Sequence, residues 1–103
     1  MAIEITDSNL SEVLKTNTIS VIDFWAAWCG PCKIVGAIIE QLANENPNVS
    51  IGKLNVEENS NTSTLFGIKA IPTTLFFKNG VMVDRIVGVR SKADFQAKIN
   101  ALR

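Results

Sequence analysis

From Ile19 to Trp25 the chain is apolar with almost no alternation, broken in its middle by Asp23. A strand of that pattern is buried on both faces, so helices must cover both sides of the sheet that holds it. Directly after it comes Trp28-Cys29-Gly30-Pro31-Cys32-Lys33, which holds the only two cysteines of the chain. Their spacing lets both sulfurs lie at one helix start, one leading the first turn and the other inside it. Unpaired backbone N–H groups and the positive end of the helix dipole favour a thiolate at the leading position. The leading thiol is therefore expected to ionise more readily than a free cysteine, and the thiolate is the nucleophile of disulfide exchange.

Three other roles for the pair compete. A structural crosslink closing so short a loop stabilises by about 2 kcal/mol in the chain-entropy model, against roughly 4.7 kcal/mol for a hundred-residue loop. A chain needing one staple would set its cysteines far apart. Zinc needs four ligands, and with two cysteines and no histidine the chain would have to share a site across a dimer. Inert buried thiols fit poorly with Gly30-Pro31 between them, which does not suit a smooth packed helix interior. A redox pair is the preferred role.

The 103 residues suffice for one domain, 1–103, and one core. Hydrophobic residues are 47% and charged residues 19% of the chain, which places it among ordinary folded proteins rather than disordered ones. Ten basic and ten acidic residues cancel, which removes general attraction to nucleic acid or an anionic membrane. No stretch approaches the roughly 20 apolar residues that span a bilayer. Met1 to Asp7 lacks a basic lead and an apolar signal core. A cytoplasmic location is expected, and there a close cysteine pair is catalytic more often than structural.

Ile3 to Thr6 reads as a short strand. Asn9, three residues before Glu12, reads as a capping box for a helix presenting Leu10, Val13 and Leu14 and fading by Thr16-Asn17-Thr18. Asp23 in the next strand is costly unless paired, hydrated or protonated. It is either a strand-end residue reaching solvent or a functional carboxylate, and its closeness to the cysteines favours the second. A helix is expected from Cys29 to about Asn46, since Pro31 is tolerated in a first turn and Pro47 stops it. Ile34, Val35, Ile38, Ile39, Leu42 and Ala43 form its core stripe. Gly36 in its middle costs about 1 kcal/mol relative to alanine.

Val49 to Val56 reads as a strand carrying Lys53, either a solvated edge charge or a partner for Asp23. A short helix is expected within Glu57 to Thr64, with Leu65-Phe66 as its weak apolar anchor and Gly67 at its end. Asn79-Gly80 between Thr74–Lys78 and Val81–Val87 is a strong hairpin signal. Pro72 either marks a strand start, where a missing donor does no harm, or forms a cis peptide exposing the Ile71 backbone; both remain open. Ser91, with Asp94 three residues on, caps a last helix that buries Phe95, Ile99 and Leu102. The order is α/β, with parallel pairing across the helix crossovers and antiparallel pairing in the hairpin. The cysteines then sit where the second strand gives way to its helix, outside the strand's carboxyl end, where such folds place their sites.

Over almost its whole length the chain resembles the thioredoxin family. The resemblance rests on Val21 to Lys33, Lys53-Leu54-Asn55-Val56, Phe66 to Thr73, Phe77-Lys78-Asn79-Gly80 and Val87-Gly88. It implies a three-layer sandwich, a mixed sheet of about five strands flanked by about four helices. It also implies that Cys29 attacks and Cys32 resolves, that Asp23 takes the resolving thiol's proton with Lys53 nearby, and that Gly30 and Pro31 set the redox potential. Pro72 would be a cis-proline facing the disulfide, and Trp28, Ile71, Pro72, Gly88 and Val89 an apolar rim receiving the partner chain. The implied activity is reduction of disulfides in other proteins by a monomer, without metal or organic cofactor, with electrons from a thioredoxin reductase.

Ala37 departs from the family, which commonly has a helix-kinking proline there; a straighter or differently bent helix is expected. A disulfide oxidase or isomerase is disfavoured by Gly30-Pro31 and the absence of histidine, and a glutathione-linked enzyme by the absence of Pro-Tyr between the cysteines. The alternative from another class is a non-catalytic module that binds proteins through the same apolar rim.

Overall fold

The Ile19–Trp25 run is the central strand of the sheet, as its uninterrupted burial requires. The computed structural model describes all residues, Met1–Arg103. Its elements are β1 (Ile3–Glu4), α1 (Leu10–Thr16), β2 (Ile19–Trp25), α2 (Gly30–Glu45), β3 (Ser50–Asn55), α3 (Ser60–Leu65), β4 (Thr73–Lys78), β5 (Val81–Val87) and α4 (Lys92–Ala101). The sheet order is β1-β3-β2-β4-β5. β1 and β2 flank β3 in parallel, and β4 runs antiparallel to both β2 and β5. Asn79 and Gly80 join β4 to β5 with φ of 53° and 80°, the left-handed backbone that a two-residue hairpin turn demands.

Alternation along β2 sends Ile19 and Val21 to one face and Ile22 and Phe24 to the other. The first face packs under Val35, Ile39 and Leu42 of α2 and Phe95 and Ile99 of α4. The second packs against Val13 of α1, with Phe66 and Ile68 closing it beyond α3. Asp23 continues the Ile19–Val21 row, so it points toward α2 just where the apolar core ends. The far end of α2 is tied to α4 by polar groups: the Asn46 and Gln96 amides bond each other at 2.9 and 3.0 Å.

Three local expectations are corrected. Asn9 stands at the start of α1 but makes no capping bond; its Oδ1 accepts instead from the Thr6 N–H at 2.8 Å. Thr6 is the nearer donor, so the side chain turns back along the chain and Glu12 has no reciprocal role. Ile34 is 56% exposed. It lies one residue off the Val35–Ile39–Leu42 row, in the first turns of a helix that begins past the end of its strand. β1 covers only Ile3–Glu4. The Ser91 cap forms as expected, its hydroxyl accepting from the Asp94 N–H at 3.2 Å. With Ala37 in place of proline, α2 is one unbroken helix of 16 residues.

Candidate active site

Chain direction and helix geometry put the two cysteines in unlike places. Cys29 is the N-cap of α2, with extended backbone, and Pro31 occupies the first turn. Cys29 and Cys32 are joined in a disulfide with their Cα atoms 5.3 Å apart. The Cys29 Sγ accepts a hydrogen bond from the Cys32 backbone N–H at 3.2 Å, one of the donors every helix start leaves free. Exposure does not separate the two: Cys29 is 5% and Cys32 4% exposed. Surroundings do. Cys29 faces the Ile71 carbonyl, 4.0 Å from its Sγ, whereas Cys32 looks into a cavity behind the disulfide.

That cavity has a volume of about 420 Å³ and contains Asp23, Cys32, Gly36, Glu40 and Lys53 in its wall. Cys32, Gly36 and Glu40 come from one stripe of α2, four residues apart. Asp23 and Lys53 are register partners on β2 and β3. Asp23 is fully buried and neither carboxylate oxygen has a hydrogen-bond partner. Thr74, its register partner on β4, is also buried with an unpartnered hydroxyl. Burial pushes the Asp23 carboxyl up to about 7, against a weaker opposing pull from Lys53.

Lys53 does not bond Asp23 directly. Its Nζ lies 3.0 Å from Glu40 Oε2, with both side chains partly exposed. Glu40 is the site residue that the sequence reading missed. The available signal was its spacing, two helical turns beyond Cys32 with glycine between. Gly36 packs here as well: a Cβ there would lie 3.3 Å from the Lys53 Nζ, a tight contact that the glycine spares the ammonium.

Of the residues expected to form a rim, Ile71 reaches Cys29 through its carbonyl and Trp28 precedes it in the chain. Trp28 is 70% and Val89 45% exposed; Ile71 and Gly88 are half-buried and Pro72 is buried. The Ile71–Pro72 peptide is cis, which decides between the two roles left open for that proline. Gly88, at φ 87°, donates its N–H to the Pro72 carbonyl at 2.8 Å, joining the end of β5 to the loop opposite the disulfide. The Trp28 indole donates to Glu57 Oε2 at 3.1 Å, which holds the ring at the surface. Gly30 is exposed with open space around it.

A mixed sheet of this order, with a disulfide at the start of the helix after its central strand, defines a thiol–disulfide oxidoreductase. The Thioredoxin family's sequence profile matches residues 1–101, and the chain belongs to that family. It is 44% identical to Thioredoxin 2 of Chlorobaculum tepidum over 99 residues, covering 94% of this chain and 91% of that one. It is 45% identical to the thioredoxin of Buchnera aphidicola over 96 residues, covering 91% and 89%. Among solved structures, a mutant thioredoxin from Halobacterium salinarum superposes with a TM-score of 0.92 at 27% identity, covering 98% of this chain and 89% of that one. The activity is protein-disulfide reduction, with disulfide-containing proteins and a reductase as its general partners. Nothing in the fold or the site favours the non-catalytic docking module.

Proposed function

We propose that Cys29 is the attacking and Cys32 the resolving cysteine of a cytoplasmic, monomeric carrier that takes electrons from a thioredoxin reductase. In the reduced protein the Cys29 thiolate attacks one sulfur of a target disulfide, and the other target sulfur leaves as thiolate. Cys32 gives its proton to Asp23 and attacks Cys29. The target's second thiolate departs, both target sulfurs take up protons, and the Cys29–Cys32 disulfide remains. The reductase returns two electrons, and the site regains its protons from solvent.

The observation that carries this order is the division of surroundings. Cys29 has a backbone N–H aimed at its sulfur, which favours its thiolate. Cys32 shares its cavity with a carboxylate that has no other partner. A carboxyl at about 7 suits a proton acceptor near neutral pH, and no histidine competes for the role. The rim of Trp28, Ile71, Pro72, Gly88 and Val89 would seat the target chain beside Cys29, with Gly30 and Pro31 setting the potential. No helix is long and apolar enough to cross a membrane.

The test is stopped-flow reduction of insulin by wild type and Asp23→Asn. The variant is expected to form the mixed disulfide at the normal rate and resolve it roughly a hundredfold more slowly near neutral pH, the low end of the range typical of general-base loss. Equal resolving rates would remove Asp23 from the mechanism.

A further inference from the structure

We propose that Glu40 is a positioning residue for the exchange reaction: it holds the Lys53 ammonium away from Asp23, and is itself fixed by the backbone of the N-terminal segment. Both Glu40 oxygens are committed. Oε2 meets the Lys53 Nζ at 3.0 Å, and Oε1 accepts from the Ala2 N–H at 2.8 Å. Lys53 stands between two carboxylates, with Asp23 its register partner on β2 and Glu40 above it on α2. It bonds the partly exposed one and leaves the fully buried one bare.

Solvation explains the choice. Glu40 keeps part of its hydration while paired, whereas an ionised Asp23 would have to lose nearly all of its own. A cation drawn fully onto Asp23 would hold it ionised and make it a weak proton acceptor. Anchoring the ammonium on Glu40 keeps the charge close enough to moderate Asp23 without fixing it as a carboxylate. Gly36, whose Cβ would lie 3.3 Å from the Lys53 Nζ, leaves the ammonium room beside the helix.

The other groups facing Asp23 are few. Cys32 and Lys33 line the cavity from α2, and the uncharged Thr74 and Trp25 come from β4 and β2 itself. Glu4, register partner of Lys53 on β1, is exposed and forms no ion pair. The Glu40 carboxyl is held below its usual range by the Ala2 amide first and Lys53 second, so it stays ionised wherever Asp23 titrates.

The proposal rests on Asp23 as the proton acceptor, but its test reads Asp23 without turnover. The Asp23 carboxyl carbon is followed by NMR against pH in oxidised wild type, Glu40→Gln, Lys53→Met and the double variant. Glutamine still accepts from Ala2 but no longer holds the ammonium. The Asp23 midpoint is therefore expected to fall by about one pH unit in Glu40→Gln, the low end of what an approaching cation does to a carboxylate. In the Lys53→Met background the same substitution should have little effect. An unchanged midpoint in Glu40→Gln, or an equal drop in both backgrounds, overturns the proposal. If the midpoint falls while the pH profile of the resolving step stays put, the positioning of Lys53 stands and Asp23's role as acceptor falls.

Discussion

The backbone N–H of Cys32 donates to the sulfur of Cys29 across 3.2 Å, so the residue proposed to resolve the mixed disulfide would also support the thiolate proposed to form it. This bond exists because Cys29 is the N-cap and Cys32 lies within the first turn. This spacing places a free helix-start donor and the second sulfur in one residue.

Removing the resolving sulfur should leave attack intact and block release. Cys32→Ser incubated with oxidised insulin is expected to accumulate a covalent adduct that dithiothreitol dissolves, seen on a non-reducing gel and by mass spectrometry. Cys29→Ser should form none. An adduct through Cys32 alone would reverse the assigned order.

Asp23 makes stability depend on pH in a definite direction. Its carboxyl sits at about 7 in the folded chain against an ordinary value of 3.8, so between those pH values the folded form holds a proton that the unfolded form has lost. Stability therefore falls as pH rises through that window and levels off above about 7. The total is on the order of 4 kcal/mol. Asp23→Asn lacks this loss and should be the more stable protein at pH 8, with the two converging near pH 4. Urea unfolding of both oxidised proteins across that range measures it; parallel curves would contradict the burial argument.

Much of this site was legible in the sequence, and what was missed has a common cause. The unalternating Ile19–Trp25 run, the Cys29–Pro31 helix start and the Asn79-Gly80 turn are local signals, and each element lies where its residues place it. Glu40 was missed because its contacts bring together the N-terminal segment, α2 and β3: its partners, Ala2 and Lys53, are 38 residues back and 13 on. Lys53 had two open roles for the same reason. The Asn9 cap failed because the side chain had a nearer donor in Thr6, and helix-start motifs do not record such competition. The choice between cis and trans at Pro72 depends on loop packing, which a dipeptide does not encode.

Gly52 is a glycine by necessity of packing. A Cβ on it would lie 2.7 Å from the Ile3 carbonyl oxygen and 2.5 Å from Ile5 Cδ1. Since the first of these is backbone, Gly52→Ala must push β1 from β3. A loss of about 2 kcal/mol or more is expected, toward the upper part of the overpacking range. Guanidinium unfolding checks it through a lower midpoint; an unchanged midpoint would mean that β1 is not held as the structure has it.

Trp28 should matter for protein targets rather than for the fold. The residue is 70% exposed, so Trp28→Ala should cost little stability. If the ring seats the target chain, kcat/KM for insulin should drop roughly tenfold, as truncating an aromatic anchor worth about 1.4 kcal/mol would give. Reduction of a small disulfide such as hydroxyethyl disulfide should change far less, and equal losses on both would indicate disturbance of the sulfurs instead.

The most direct test is alkylation of the fully reduced protein with iodoacetamide at neutral pH, each cysteine followed separately by peptide mass spectrometry. Cys29 is expected to label faster than a free thiol and well ahead of Cys32. Faster labelling of Cys32, or labelling of neither above the rate of a free thiol, would contradict the assignment of attack to Cys29.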